Sequence, residues 1–188
     1  GWDLITVSRV CSFMGERCSN LKSLKAQLID NLEKDIELEG TLRVLGTLSA
    51  PKILPSEMWS DNKIADSLFG VLIRNSGTPL EVMLVLSVIS NITRITTVRE
   101  LFSEMKYFTY FLACAESDSE ISGLCMRILS NLNVPDMSEE GNEKVIRRMI
   151  DAIAVQLKSE NKFGVEGSAQ LTINILSKYE EIDDIFES

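Results

Sequence analysis

Two short stretches, VISNIT at residues 88–93 and ILSNLN at residues 128–133, carry nearly the same residues forty positions apart. Each lies late in a long segment whose apolar residues recur every three to four positions, as they do on one face of an α-helix. A phrase that returns at this distance indicates an internal repeat, in which each unit is a small group of helices. These two stretches therefore decide the fold.

Helical periodicity extends over most of the chain, and prolines and glycines separate the periodic segments. The run from Thr78 to Glu81 places a threonine before Pro79, with the glutamate three residues after the threonine, which predicts a capping box at a helix start. Ser117 to Glu120 offers a weaker version of the same start. Strands are the weaker alternative for the β-branched residues 85–98. The predicted helices cover residues 21–35, 37–49, 61–75, 78–94, 107–116, 119–133, 142–158 and 164–180.

Aligning the long helices on the repeated phrase gives a register. The fourth position of each phrase, which we name the ladder position, recurs after 34, 44, 40 and 47 residues. A period of about 40 residues with two or three helices per unit is typical of armadillo and HEAT solenoids, whose units stack on one another. The ladder positions are Phe13, Thr47, Asn91, Asn131 and Lys178.

The two phrases resemble the third helix of armadillo repeats, as in the importin-alpha and beta-catenin families. Short first helices at residues 55–60 and 97–105 are also similar to those of armadillo units. The resemblance implies an all-α fold, a right-handed α-solenoid of about four three-helix repeats in one domain. The expected parts are a partial repeat at 1–18, repeats at 19–50, 51–95, 96–134 and 135–180, and an acidic end at 181–188. Because the chain also lacks an initiator Met, we expect a fragment of a longer protein.

The resemblance also implies a binding groove. In armadillo families the ladder position lines the concave groove, where an asparagine bonds the backbone of an extended partner, so Asn91 and Asn131 take that role and Thr47 and Lys178 extend it. Asparagine suits the role because one amide both donates and accepts. An asparagine that caps its helix or faces solvent is the alternative. One turn earlier stand Arg9, Arg43, Ser87, Arg127 and Asn174.

The residues one turn earlier favour a basic groove. Tryptophan, frequent there in importin-alpha-like repeats, is absent, so recognition of a basic nuclear-import signal is not carried over. Three arginines instead predict that Arg43, Arg127 and Lys178 bind carboxylates or phosphates of an extended acidic segment, as the positive beta-catenin groove does. The alternative is that these arginines occupy ordinary solvated helix positions.

Composition excludes several function classes. The net charge of −9 argues against nucleic-acid binding, which requires clustered Lys and Arg. No apolar run approaches the roughly 18 residues of a membrane span, and the N-terminus lacks the layout of a secretory signal. The four cysteines, at 11, 18, 114 and 125, are expected to be reduced and buried, which places the chain in the cytosol or nucleus.

The chain has no histidine, which removes the commonest general base and every histidine-containing metal site. We therefore expect no catalysis, metal, cofactor or small-molecule substrate. The leading prediction is a non-catalytic scaffold that binds a segment of another protein. The alternatives are a co-chaperone domain that grips a folded client and a self-associating structural domain. Trp59 is either an exposed anchor or packed under its loop, and residues 107–111 are predicted to be core.

Overall fold

The computed structural model of the protein describes residues 19–50, 59, 62–74, 78–117, 119 and 121–179. Every regular element within these residues is an α-helix, so the predicted all-α class is confirmed for this part of the chain. The helices are α1 (Ser19–Lys34), α2 (Leu38–Leu48), α3 (Asn62–Arg74), α4 (Pro79–Ile92), α5 (Thr96–Phe102), α6 (Met105–Ala115), α7 (Ser122–Asn131), α8 (Asn142–Leu157) and α9 (Lys162–Lys178).

The helix starts test the two predicted caps. At α4 the Thr78 hydroxyl accepts from the Glu81 N–H and the Glu81 carboxylate accepts from the Thr78 N–H, so the predicted capping box is confirmed. The weaker cap predicted at Ser117 is wrong. The Ser117 hydroxyl donates to the carbonyl of Cys114 at the end of α6, and α7 begins only at Ser122.

The chain forms two compact units, Gly1–Val98 and Arg99–Ser188, which we name the N-terminal and C-terminal units. In the N-terminal unit α1 packs on α2 and α3, and α4 packs on α2 and α3. The first helices of the two successive pairs are therefore in contact, and so are the second helices. Fully or almost fully buried side chains in this unit include Leu32, Leu42, Leu45, Leu68, Leu86 and Ile89.

The C-terminal unit repeats this pairing with α6 and α7 followed by α8 and α9. Helix α6 packs on α7 and α8, and α9 packs on α7 and α8. Helix α7 also contacts α8. An aromatic cluster lies at the start of the unit, where the Phe102 ring centroid is 5.2 Å from that of Tyr107 and 6.0 Å from that of Phe111.

The predicted core faces are largely confirmed. Ile89 in α4 and Leu129 in α7 are fully buried with their apolar neighbours, whereas Val44 in α2 is only half-buried. Trp59 is 2% exposed, so the packed alternative is correct. In residues 107–111 three aromatic side chains are buried and Tyr110 is half-buried. None of the helices in the described ranges is long and apolar enough to cross a membrane.

Candidate functional site

Three of the predicted groove residues line one groove in the C-terminal unit. Asn131, Asn174 and Lys178 face a cavity of about 610 Å³ between the ends of α7 and α9. Most of the lining side chains are polar, and the two charged ones, Arg99 and Lys178, are both cations. The complete lining is Arg99, Ser130, Asn131, Leu132, Asn133, Val134, Gln170, Asn174, Ser177 and Lys178.

In α9 the residue one turn before the predicted ladder position bonds the backbone of α7. The sequence alignment paired Lys178 with Asn131, whereas the Asn174 amide donates to the carbonyl of Ser130, the residue before Asn131, at 2.8 Å. Asn174 therefore occupies the level of Asn131. The residues at this level of α7 and α9 are both asparagines.

Burial does not select one alignment of α9 on α7, because the predicted register also matches the buried Ile175 to the buried Ile128. The predicted register matches Leu176 to the fully buried Leu129, but Leu176 is 57% exposed. Placing Asn174 at the ladder position instead matches Leu171 to Ile128, and both are fully buried. Because α9 has apolar residues on more than one side, the predicted match of Lys178 to Asn131 stays a prediction. Gln170 lies one turn before Asn174 in α9.

Hydrogen bonds within the unit orient the Asn174 amide. Its nitrogen donates to Ser130, and its oxygen accepts from the Gln170 side chain at 2.9 Å. A primary amide has two N–H donors and two acceptor lone pairs, so each atom retains one further site. Asn174 can therefore still donate and accept toward a ligand backbone, from an orientation that the fold sets.

Lys178 and Tyr179 hold the end of α9 against the chain that follows α7. The Lys178 ammonium donates to the carbonyl of Val134 at 2.6 Å, and the Tyr179 hydroxyl donates to the carbonyl of Pro135. The N–H of Met137 donates to the same hydroxyl at 3.2 Å. Burial raises the pKa of Tyr179, and a hydrogen bond from Met137 acts in the opposite direction. The phenol thus stays neutral beside the Lys178 ammonium.

Arg127 lies outside the set that lines the groove. Its guanidinium carbon is 5.3 Å from the ring centroid of Phe163 at the start of α9, and the side chain is half-buried. A guanidinium over an aromatic face is held by a cation–π interaction. This position differs from the prediction that Arg127 would bind carboxylates within the groove.

In the N-terminal unit the predicted residues are held within their own helices or by a neighbour. The Asn91 amide donates to the Ser49 hydroxyl at 3.3 Å, and the Thr47 hydroxyl donates to the carbonyl of Arg43 at 3.0 Å. Ser87 is half-buried one turn before Asn91. Asn91 therefore occupies a place like that of Asn174, with an intramolecular bond on one amide hydrogen.

Arg43 is exposed but paired. Its guanidinium donates to the carboxylate of Glu39, one turn earlier in α2, at 2.9 Å from Nε and 2.7 Å from Nη2. A carboxylate from a partner must compete with Glu39 for the guanidinium of Arg43. The positive charge predicted at Arg43 is thus largely neutralised. Arg9, the remaining predicted arginine, lies outside the described residues, as does the ladder position Phe13.

Sequence reasoning missed Arg99 and Gln170 as groove residues. Arg99 belongs to the short helix α5, which carries no copy of the repeated phrase and hence had no register. Gln170 lies two turns before the predicted ladder position Lys178, outside the two positions of each helix that the register considered. The sequence signal that could have identified Arg99 is its positive charge in a short first helix.

No arrangement of metal ligands occurs in the described residues, since no three His, Cys, Asp or Glu side chains converge there. Comparison of the chain with protein-family models, with curated proteins and with solved structures gave no match. The interpretation of the site therefore depends on its own geometry.

Proposed function

We propose that the protein is a non-catalytic, armadillo-like interaction module that binds an extended, acidic segment of a partner protein. The groove of the C-terminal unit is its binding site. The partner's backbone is bonded by Asn131 and Asn174, and its carboxylates are bonded by Arg99 and Lys178. The expected location is the cytosol or the nucleus.

The observation that carries the proposal is the lining of this groove. Its ionisable side chains are cations in a chain of net charge −9, and amides at the same level of two neighbouring helices stand beside them. Amides match the alternating donors and acceptors of an extended backbone, and cations select carboxylates. The helix pairing within each unit, first helix on first helix and second on second, supports the armadillo-like part of the proposal.

A selection from a random library of peptides about 15 residues long tests the proposal, because such a library requires no candidate partner. We expect the enriched peptides to be rich in Asp and Glu, and a fluorescently labelled example to bind less tightly as salt is added. Lys178→Gln keeps a donor for Val134 but removes the charge, and we expect about tenfold weaker binding, which corresponds to about 1.4 kcal/mol.

The matched control for this charge removal is Lys144→Gln, which changes an exposed lysine of α8 outside the groove. Binding by this variant should equal that of the native chain. Enriched peptides without an acidic bias, or equal loss in both variants, would show that the groove is not an acidic-peptide site.

One observation favours a second candidate, self-association. Helix α9 exposes a row of apolar side chains in which Ile173 is 58% exposed and Leu176 is 57% exposed. Exposed apolar residues one turn apart are typical of surfaces that another apolar surface covers. Sedimentation of the native chain beside Ile173→Glu distinguishes the candidates, because only a self-associating chain changes in mass with concentration and loses that change in the variant.

A further inference from the structure

Phe163, near the start of α9, keeps a large apolar surface in contact with solvent. Its side chain is 43% exposed, whereas Phe102, Phe108 and Phe111 of the same unit are fully buried. The guanidinium carbon of Arg127 lies over the ring, 5.3 Å from its centroid. Aromatic and arginine side chains are enriched where proteins bind one another, so an exposed ring beside a guanidinium is a candidate contact for a partner.

Phe163 lies in the same row of α9 as residues that line the groove. Residues seven positions apart in a helix lie two turns apart and within about 20° of the same side. Gln170 is seven positions after Phe163, and Asn174 is one further turn along. Arg127 has the corresponding place on α7, one turn before Asn131. The ring and the guanidinium therefore continue, on both helices, the rows of side chains that line the groove.

Contacts between the two helices bring these places together. A Cβ at Gly167 would lie 2.8 Å from the backbone nitrogen of Arg127, so α9 passes this part of α7 without a side chain between them. Asn174 bonds Ser130 further along both helices, so α7 and α9 run in the same direction. Because side chains in a helix lean toward its N-terminus, the Arg127 side chain reaches Phe163, one turn before Gly167.

We propose that Arg127 and Phe163 form a second binding subsite, which takes an aromatic or large aliphatic side chain of the same acidic partner segment. The exposed part of the ring packs on that side chain, which we name the anchor. The positive charge of Arg127 favours an acidic residue next to the anchor. The inference rests on the proposed function of the groove and adds a second element to the partner's sequence.

Helix geometry sets the spacing between the anchor and the part of the partner that the groove binds. Asn174 is eleven positions after Phe163, which corresponds to about 16 Å along α9. An extended segment advances about 3.3 Å per residue. The anchor should therefore lie about five residues from the residue whose backbone Asn131 and Asn174 bond.

This subsite is separate from the exposed apolar row of α9. Leu176 is thirteen positions after Phe163, which places it about 140° round the helix. A second copy of the chain that covered the side of α9 around Leu176 would leave the ring of Phe163 exposed. Continuity with the groove instead selects the acidic segment as the occupant of the subsite.

Two probe peptides test the subsite on the full chain. The acidic probe is a labelled peptide of about 15 residues in which glutamate and serine alternate, and the anchored probe has phenylalanine in place of its central serine. The repeating sequence lets either probe shift its register until the anchor meets the ring. We expect the anchored probe to bind about tenfold more tightly, because apolar surface is buried on both the peptide and the protein.

Three variants distinguish the subsite from the groove. Phe163→Ala should reduce the difference between the two probes to less than about twofold. Lys178→Gln should weaken the binding of both probes, because it acts in the groove. The matched control is Val165→Ala, which truncates an exposed apolar residue on the opposite side of α9 and should preserve the tenfold difference. Circular dichroism establishes that each variant keeps its helices.

Nuclear magnetic resonance supplies a measurement that requires no variant. The ring protons of Phe163 should shift further with the anchored probe than with the acidic probe at equal saturation, because a second ring then lies beside them. If neither probe binds, the proposed function fails and the subsite fails with it. Equal affinity for the two probes, or an equal effect of Val165→Ala and Phe163→Ala, would overturn the subsite while the groove stands.

Discussion

In the two units, different side chains donate hydrogen bonds to the backbone carbonyls at the end of a helix. In the N-terminal unit Arg74 of α3 donates to the carbonyl of Leu32 in the last turn of α1, at 2.7 Å, and to the carboxylate of Asp35, at 2.9 Å. In the C-terminal unit Gln156 of α8 donates to the carbonyls of Ala115 and Ser117 at the end of α6, at 3.0 and 3.2 Å.

The difference lies in where the two groups are placed. Arg74 keeps 38% of its side chain exposed, while Gln156 is completely buried. Water can take over the hydrogen bonds of Arg74, because its site is partly exposed. Water does not reach the buried site of Gln156, and an unsatisfied buried carbonyl there costs about 1–3 kcal/mol. Hydrogen bonds to the carbonyls at a helix end should therefore contribute more to the free energy of unfolding in the C-terminal unit than in the N-terminal unit.

Removing Gln156 should have the largest effect. Gln156→Ala leaves the carbonyls of Ala115 and Ser117 without their donor and opens a cavity, so we expect a loss of about 3 kcal/mol in the free energy of unfolding. Urea unfolding followed by far-ultraviolet circular dichroism measures it. The control is Val155→Ala, an exposed neighbour in α8. A loss below about 1 kcal/mol would contradict the role of the buried amide.

A pair of helical glycines should respond with opposite signs in the two units. A Cβ at Gly167 would lie 2.8 Å from the backbone nitrogen of Arg127, so α9 approaches the α7 backbone too closely for alanine, whereas a Cβ at Gly46 meets nothing within 4 Å. We expect Gly167→Ala to lower the free energy of unfolding by about 2 kcal/mol. Gly46→Ala should leave it unchanged or raise it by up to about 1 kcal/mol.

The same urea experiment measures both glycine variants, and each is the control for the other. Equal shifts in the same direction would mean that the close approach of α7 and α9 does not govern the response.

Removing Arg74 should have a smaller effect. Arg74→Ala should lower the free energy of unfolding by about 1 kcal/mol, because the freed Leu32 carbonyl and Asp35 carboxylate are accessible to water. Trp59 is buried in the N-terminal unit, so a change in its fluorescence follows this unit. Arg43→Ala, which loses only a pair within α2, is the control and should change stability by less than about 0.5 kcal/mol.

The smallest predicted effect is on the reactivity of Cys114, a cysteine of the C-terminal unit. The described part of the N-terminal unit contains no cysteine, whereas Cys114 has its pKa lowered to about 7 by the bond from Cys125. Because the thiolate reacts, alkylation of Cys114 should rise with pH and be half-maximal near pH 7, below the value of about 8.5 for an ordinary thiol.

The control for this pH profile is Cys125→Ala, which removes the hydrogen bond that lowers the pKa. Its midpoint should move upward, toward that of an ordinary cysteine. An unchanged midpoint in the variant would show that Cys125 does not set the acidity of Cys114.

Much of the fold was predictable, because apolar periodicity and the cap at Thr78 are local signals that survive packing. The buried face of α9 was not, since Leu171, Ile173, Ile175 and Leu176 offer two apolar faces and only contact with α7 selects one. The burial of Gln156 was equally impossible to predict from the sequence. A polar residue in a helix is assigned to the surface unless its partner carbonyls, which lie about 40 residues away, are known.

The candidate site was predictable in part for similar reasons. The asparagine of α7 came directly from the repeated phrase. Pairing of Arg43 with Glu39 was visible as a spacing of four residues in one helix. The stacking of Arg127 on Phe163 was not visible, because the two residues are brought together only by the packing of α9 on α7.

The bond from Lys178 to the carbonyl of Val134 bears on the entropy of recognition. A free lysine side chain loses about 1.5–2 kcal/mol of rotamer entropy when a ligand immobilises it. Here folding has already restricted the chain, while the ammonium retains two of its three hydrogens for a ligand. A cation held in this way is preorganised, and a weak acidic segment can bind it without ordering the side chain first.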